Sequence, residues 1–351
     1  MRWIAKEDDE RGAVAVIVAI LLVVLLGFAA LAVDVGLLYA EKAQLRNGAD
    51  AAAIGIAQSC AEDILDSENC SDLVDESSLA KQMADANSLD NQSNAESVAL
   101  DTTAGTVSVR TGALETGSTP NSVSLFFAQA LGFDEAEVSV SSNAAWGVPV
   151  GGVAPFAIAF SQCEVDAGIS GDGSLQFLTV HGKNSECTST SSGQEIPGGF
   201  GWLDQSSGYS CGVVIDPSSP WIGSDPGNNV KDGCAARLGE WEDRLRANES
   251  VIELIPIFDD TKGNGGQTGA FQMHAFAAFD IRGWSFPGGG NEYMTPDAAK
   301  YYKDNKLNSN NRGFIGRFVE FVSLDSSFQI KPMPGGGYGA QVVKLTLGET
   351  P

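Results

Sequence analysis

The chain has 351 residues, and its 45 Asp and Glu against 21 Lys and Arg give a net charge of −24 at pH 7. A surface of this charge repels nucleic acid and anionic lipid headgroups, which argues against both as partners of the body of the chain. Hydrophobic residues at 43% are enough for a core, while 41 glycines and only 19% charged residues indicate loop-rich, β-containing structure rather than a helical bundle.

A charge-free segment, GAVAVIVAILLVVLLGFAALAV, lies between Arg11 and Asp34. As a helix it would be about 33 Å long, enough to cross the hydrocarbon core of a membrane. Two alternatives are a buried globular helix and a cleaved secretory signal. Apolarity on every face argues against the first, and the lack of a small-x-small cleavage site directly after the segment argues against the second. We predict a transmembrane helix over residues 12–34.

The helical pattern continues beyond the apolar segment. A stripe of apolar residues recurs at steps of seven, four, three and four, formed by Leu38, Leu45, Ala49, Ala52 and Ile56. This spacing predicts one face of an α-helix, so residues 35–58 are predicted to extend the transmembrane helix as a helical stalk.

Small residues also recur along one face of this helix. Ala32, Gly36 and Ala40 follow one another at steps of four, a spacing that lets a second helix approach closely. We predict helix pairing there. The alternative is that Ala and Gly are simply abundant in this segment.

Residues 11–57 resemble the N-terminal segment of the TadG-like proteins of the Flp (tight adherence) pilus-assembly system. The features that carry the resemblance are Arg11-Gly12, the charge-free span, Asp34-Val35-Gly36, Tyr39, and Asn47 followed by Asp50-Ala-Ala-Ala. The resemblance implies a single-pass envelope protein of a pilus machine, with its bulk outside the cytoplasm and no enzymatic activity.

Two family motifs are not matched. The related TadE-like pseudopilins carry Glu five residues after a Gly at which a prepilin peptidase cuts, but Ile17 stands five residues after Gly12. We therefore expect the span to be retained as an anchor. Some family members carry a von Willebrand A domain with an Asp-x-Ser-x-Ser metal site. Asp325 and Ser327 are followed by Gln329 in place of the second Ser, so no metal site is carried over.

The orientation prediction depends on flanking charge and on cysteine. Three Lys or Arg precede the span within residues 1–11, against Lys42 and Arg46 beyond it. The six cysteines all follow the span: Cys60, Cys70, Cys163, Cys187, Cys211 and Cys234. An even number in an anchored protein indicates disulfides in an oxidising space. We predict a cytoplasmic N-terminus at residues 1–11, a single pass through the cytoplasmic membrane, and an extracytoplasmic C-terminal body.

The pairing of the cysteines stays open. Sequential pairing (60–70, 163–187, 211–234) would close three local loops, but six cysteines allow 15 connectivities. Buried free thiols are the alternative. No pair has Cys-x-x-Cys spacing, which argues against zinc.

Residues 59–147 are predicted to form a small α+β unit. An acidic surface loop begins it, followed by a short helix over 78–87. Strands are predicted over 106–110 and 137–141, with a short apolar helix over 123–131 ended by Gly132 between them.

Residues 148–351 are predicted to form a β-rich extracytoplasmic domain, beginning at the Gly-rich stretch 147–152. The strand candidates are 155–160, 174–180, 251–258, 271–281 and 314–324. One helix is predicted over 234–247. The fold class is therefore α+β, with a long N-terminal helix.

The sequence offers little catalytic chemistry. His181 and His274 lie in no metal-spaced cluster, and no nucleophile elbow or Walker loop is present. Residues 259–266 faintly resemble a calcium loop, but Lys262 and Phe271 stand at ligand positions, which favours a plain hairpin. We predict no cofactor and no metal.

Aromatic residues of the second domain leave a further alternative open. Trp202, Trp221 and Trp284 would form either core or an exposed binding patch. The sequence therefore predicts a non-catalytic structural or assembly component of a Flp pilus, with an anchored adhesin or binding module as the alternative and an anchored hydrolase as a weaker one. Predicted partners are the membrane, other pilus-assembly proteins through the N-terminal helix, and a second copy in a homo-oligomer, but not nucleic acid.

Overall fold

The fold is α+β, with a long N-terminal helix followed by a β-rich body that carries short helices. The computed structural model describes residues 9–62, 69–169, 173–179, 188–189, 191–196, 199–225, 229–231, 233–263, 269–286, 292–332 and 338–347. The helices are α1 (Asp9–Glu62), α2 (Leu79–Ala86), α3 (Gln162–Ile169), α4 (Cys234–Arg246) and α5 (Pro296–Asp304), with a 3₁₀ turn at Ala128–Leu131.

The strands, in chain order, are β1 (Asn94–Asp101), β2 (Thr106–Gly112), β3 (Ser122–Ser124), β4 (Glu135–Glu137), β5 (Ser139–Ala154), β6 (Ile158–Ser161), β7 (Gln176–Thr179), β8 (Phe200–Trp202), β9 (Val213–Ile215), β10 (Trp221–Gly223), β11 (Ile252–Lys262), β12 (Ala270–Ser285), β13 (Glu292–Met294), β14 (Gly313–Phe318), β15 (Phe321–Ser323), β16 (Gln329–Lys331) and β17 (Ala340–Thr346).

The first sheet lies against the second half of α1. Its strand order is β1-β2-β5-β17-β15, and β16 and β9 pair with β5 further along that strand. Apolar residues of α1 such as Ala52 and Ile56 share one core with Val109, Trp146 and Val343 of the sheet. The half of the helix that carries the predicted stripe is therefore part of a globular core rather than a free stalk.

Helix α2 packs against the same part of α1. A Cβ atom at Gly48 would lie 3.1 Å from the Cα of Ala84, so the two helices touch backbone to backbone. Ser78 accepts a hydrogen bond from the N–H of Lys81 and caps the start of α2. The glycine in α1 thus makes room for a neighbour within the body.

The second sheet has the order β7-β14-β12-β11-β6-β8, with β10 and β13 paired to β12. Alternate residues of β12 enter two different cores. Ala277 and Phe279 join the core beneath α4, which includes Trp241. Phe276 and Ala278 join a second core with residues of β9 and β17. The second sheet is therefore covered on one face by a helix and on the other by the first sheet.

Strands from both sides of residue 147 build the first sheet. The Gly-rich stretch 147–152 lies inside β5, which pairs with β2 and β17 along one half and with β16 and β9 along the other. The division of the chain into units 59–147 and 148–351 stays a prediction. Strand β5 crosses the boundary between these units, and β17 of the second unit pairs with the part of β5 that lies in the first.

Most predicted elements are confirmed, with two corrections. The predicted helix over 123–131 is wrong in its first half, because Ser122–Ser124 form β3 and pair with Glu135–Glu137. Helical structure begins only at Ala128 and is ended by Gly132 in a left-handed conformation, as predicted for that glycine. The single strand predicted over 314–324 is two strands, β14 in the second sheet and β15 in the first. Several elements were not predicted, namely β1, β8, β9, β10, β13, β16, β17, α3 and α5.

Candidate membrane anchor and assembly surface

The first half of α1 is an apolar rod that touches little of the body. Helix α1 continues without a break through residues 14–62. Its most apolar window of 18 residues has a mean hydropathy of 3.3, and none of that window is buried. Large side chains along it are exposed, for instance Val23 at 69% and Phe28 at 66%. A helix that exposes apolar groups on all sides is compatible with a single membrane span.

The predicted pairing residues lie on this exposed surface. Ala32, Gly36 and Ala40 are all exposed, and a Cβ atom at Gly36 would meet nothing within 4 Å. The stripe is thus unobstructed, and helix pairing through it stays a prediction.

Asp34 connects the end of the apolar rod to the body. It is only 3% exposed. Its Oδ1 accepts hydrogen bonds from the backbone N–H groups of Phe126 and Phe127, at 3.0 and 3.2 Å. Its Oδ2 accepts from Phe127 and Ala128, at 3.0 and 2.7 Å. A carboxylate is well suited to cap the free N–H groups at the start of a helical turn.

The segment held by Asp34 is itself apolar. We define residues 125–133, LFFAQALGF, as the apolar loop. Phe127, Ala128, Ala130 and Leu131 of this loop form one wall of a groove of about 780 Å³, and 24–34 of α1 contribute the other wall. The apolar loop therefore runs beside the rod rather than away from it.

Polar contacts fix the second half of α1 to the first sheet. Thr111 donates to the carbonyl of Leu45 at 3.1 Å, and Arg46 donates to the carbonyl of Ser141 at 3.0 Å. Ser142 donates to Asp50, which also forms an ion pair with Arg46 at 3.2 Å. These bonds connect the polar residues that flank the buried stripe of the helix to the sheet.

The charge beyond the rod is unevenly distributed. Burial raises the pKa of Glu41, and the nearby carboxylates of Asp90 and Glu115 raise it further. Acidic groups thus gather on the body side of Asp34.

The structure contains disulfides, as the even number of cysteines indicated, and two of them show the sequential pairing that the sequence left open. Cys60 bonds to Cys70 and Cys211 bonds to Cys234, with Cα atoms 4.7 Å apart in each pair. Cys163 is also disulfide-bonded, whereas Cys187 lies outside the described residues. The Cys60–Cys70 bond fixes the last turn of α1 to the start of the segment that leads to α2.

The exposed aromatic patch is not found at two of its three residues. Trp202 and Trp284 are each 1% exposed and belong to the core beneath α4, and only Trp221 is partly exposed. The ring of Trp221 is covered by the ammonium of Lys262, 4.2 Å from its centroid. Burial of two of the three Trp side chains removes most of the aromatic patch on which the adhesin alternative depended.

One polar cluster on the second sheet bears on the hydrolase alternative. The hydroxyl of Ser191 donates to Asp259, which is 1% exposed, and the Nδ1 of His274 lies 3.7 Å from the same carboxylate oxygen. Burial raises the pKa of Tyr338 to about 12, with the charges of Asp166 and Asp259 adding to the effect.

This arrangement differs from a nucleophile relay. In such a relay the hydroxyl donates to the imidazole, whereas Ser191 donates to the carboxylate of Asp259. Within the part of the chain that the structure describes, no group of three or more His, Cys, Asp or Glu residues could hold a metal ion. His181 and residues 264–268 of the faint calcium loop lie outside the described residues.

Sequence reasoning did not find the partners of Asp34. It treated Asp34 only as a flanking charge and a family feature. The available signal was the uncharged run LFFAQALGF, but nothing in the linear order connects that run to a carboxylate more than 90 residues earlier.

The fold and this surface define an α+β protein with a long, exposed apolar helix at its N-terminus. Residues 12–57 match the family model described as "Putative Flp pilus-assembly TadE/G-like". The predicted TadE/TadG-like character of the N-terminal segment is thereby confirmed, and the match ends inside α1. No curated protein and no solved structure matches the chain.

Proposed function

We propose that this protein is a membrane-anchored, non-catalytic structural or assembly component of a Flp-type pilus. The observation that carries the proposal is the division of α1 into two halves. Residues 14–33 expose apolar side chains, whereas one face of the helix from Leu45 to Ala61 is buried against the sheet of the body. A single rigid helix would thus join lipid on one side to a folded body on the other.

The proposed topology places residues 1–11 in the cytoplasm, residues 12–34 in the cytoplasmic membrane and the body outside it. The flanking Lys and Arg residues and the disulfides of the body support this orientation. Other pilus-assembly proteins would contact the protein through Ala32, Gly36 and Ala40, and a second copy is the other candidate partner.

The test of anchoring is the mature N-terminus of the native protein, measured by mass spectrometry in membrane and sheared-filament fractions. A start near Met1 that is found only in the membrane supports a retained anchor. A cut after Gly12, with the protein in filaments, would instead identify a processed pilin-like subunit. A cut beyond Val33 with release to the medium would overturn the anchor.

The test of orientation is the labelling of Leu89→Cys by a membrane-impermeant maleimide in spheroplasts. Leu89 is 88% exposed on the body, so substitution there leaves the core intact. Labelling without lysis supports the extracytoplasmic body, and labelling only after lysis contradicts it.

A further inference from the structure

The apolar loop exposes large side chains that no residue in the described part of the body covers. Phe126 is 76% exposed, Leu131 77% and Phe133 64%, and none of the nine residues 125–133 carries a charge. Contiguous exposed apolar groups of this size mark contact surfaces. The loop therefore requires an occupant.

The position of the loop indicates what that occupant is. Asp34 holds the start of the 3₁₀ turn, and the groove beside the turn is lined by residues of α1 from Val24 to Asp34. Ten residues of helix correspond to about 15 Å along the axis. The loop thus points back along the segment proposed to lie in the membrane, and its groove is walled by side chains that would face lipid.

The backbone of the loop is also suited to an apolar medium. In lipid every N–H group needs an internal partner. Seven N–H groups of the loop have one, which is the carboxylate of Asp34, a carbonyl of the loop, or the carbonyl of the adjacent Asp134: those of Leu125, Phe126, Phe127, Ala128, Ala130, Gly132 and Phe133. These N–H groups therefore do not need water as a hydrogen-bond partner.

We propose that the apolar loop inserts into the leaflet on the body side of the same membrane, where lipid acyl chains fill the groove between the loop and α1. The inference rests on the proposed anchor and adds a second membrane contact to it. Because the loop is uncharged and the body is acidic, the contact is with acyl chains rather than with anionic headgroups. Two contacts would fix the tilt of the body on the membrane.

The geometry of α1 favours lipid over a second protein helix as the occupant. At 100° per residue, Gly36 and Ala32 point about 160° away from Asp34 around the helix axis. A partner helix at the small-residue stripe would therefore lie on the opposite side from the apolar loop. The groove remains open to lipid even in an assembled pair.

The experiment uses the full chain in phosphatidylcholine vesicles. Single cysteines, Leu131→Cys, Val23→Cys and Leu89→Cys, are labelled with an environment-sensitive fluorophore, and lipids that carry a quencher at a shallow or a deep acyl position are added. All three sites are exposed on the protein, so the fold is retained, and Phe133→Cys supplies a second probe of the loop. At Leu131 we expect blue-shifted fluorescence that the shallow quencher reduces. Lipid-borne quencher should also reduce the fluorescence at Val23, but it should not reduce the fluorescence at Leu89.

Each other outcome overturns the proposal in a distinguishable way. If lipid-borne quencher reduces the fluorescence at Val23 but leaves that at Leu131 unchanged, as at Leu89, the anchor is supported and insertion of the loop is refuted. If lipid-borne quencher does not reduce the fluorescence at Val23, the anchor itself is refuted. Protection of Leu131 from both lipid-borne and aqueous quenchers, relieved by diluting the protein in lipid, would show that a second protein occupies the groove.

Discussion

The carboxylate of Asp34 holds the N–H group of Phe127 between its two oxygens, at 3.2 Å from Oδ1 and 3.0 Å from Oδ2. The two residues are more than 90 positions apart, and the bond lies where the apolar rod meets the body. Because the neighbouring N–H groups of Phe126 and Ala128 bind the same carboxylate, one side chain sets the position of the whole apolar loop.

Replacing Asp34 with Ala should release the apolar loop without unfolding the body. Loss of a charged acceptor from buried N–H groups costs about 1–3 kcal/mol. Amide exchange at Phe126, Phe127 and Ala128 should accelerate by about tenfold or more, since each 1.4 kcal/mol is a factor of ten. Hydrogen–deuterium exchange in detergent measures this, with the exposed Asp134→Ala as the matched control. Equal protection in both variants would contradict the capping role.

Replacing Gly36 with Leu should impair helix pairing while leaving the fold intact. Nothing lies within 4 Å of a Cβ at this position, so the larger side chain clashes only with a partner. Loss of close packing worth about 1.4 kcal/mol weakens association about tenfold. Disulfide cross-linking of a cysteine placed at Ala40 in membranes measures the change.

Val35→Leu is the control for this prediction, because Val35 is exposed next to Gly36 but lies outside the small-residue stripe. If both variants cross-link as the parent does, the stripe has no role in pairing. If pilus assembly fails only for Gly36→Leu, the stripe binds either another assembly protein or a second copy. The mass of the cross-linked product distinguishes these two partners.

Glu253 should make the body more stable at mildly acidic pH than at neutral pH. Burial raises its pKa above the ordinary value of 4.5, although Trp241 donates to the carboxylate at 2.9 Å and Arg244 lies 3.5 Å away. A raised folded-state pKa favours the protonated form, so its stabilising effect is complete below 4.5 and is lost as pH rises through the folded value. Glu253→Gln should therefore gain stability relative to the parent as pH rises across that window.

Thermal unfolding followed by tryptophan fluorescence between pH 4 and pH 7 tests this prediction. Glu249→Gln is the control, since that side chain is 63% exposed and also faces Arg244, at 3.8 Å. A difference between parent and Glu253→Gln that does not vary with pH would refute the raised pKa.

Removing the disulfides should destabilise the body, and more so for the disulfide that closes the longer loop. The Cys60–Cys70 loop spans 10 residues and the Cys211–Cys234 loop spans 23. Chain entropy predicts losses of about 2.7 and about 3.4 kcal/mol for the paired Ala variants. Unfolding in urea measures both losses, and a larger loss for the shorter loop would show that packing of the buried Cys60 outweighs chain entropy.

Local periodicity explains which parts of the fold could be predicted. The stripe Leu45, Ala49, Ala52 and Ile56 is 2% exposed or less at every position, because one face of α1 packs on the sheet as its spacing indicates. The alternating pattern of β12 and the cap of α2 at Ser78 likewise depend on residues that are close together in the sequence.

Long-range pairing explains the errors. The predicted helix began at residue 123, beside the apolar run of the loop. Instead, Ser122–Ser124 pair with Glu135–Glu137, and the helical turn starts only where Asp34 supplies a cap. The aromatic residues Trp202 and Trp284 have no local pattern that separates core from surface. Their burial follows from the position of α4 over the second sheet. The contact between Asp34 and the apolar loop has no local signature for the same reason.

The place of β17 in the first sheet sets an order of events for a newly made chain. Val342 pairs with Gly147, about 200 residues earlier, and contacts at such separation form late in folding. Until β17 arrives, the sheet that covers α1 lacks a central strand, and Ala52 and Ile56 are left partly uncovered. A polypeptide that is interrupted before residue 340 would thus expose an incompletely covered apolar face of α1. Chaperones and proteases could distinguish it from a completed molecule before it reaches any partner.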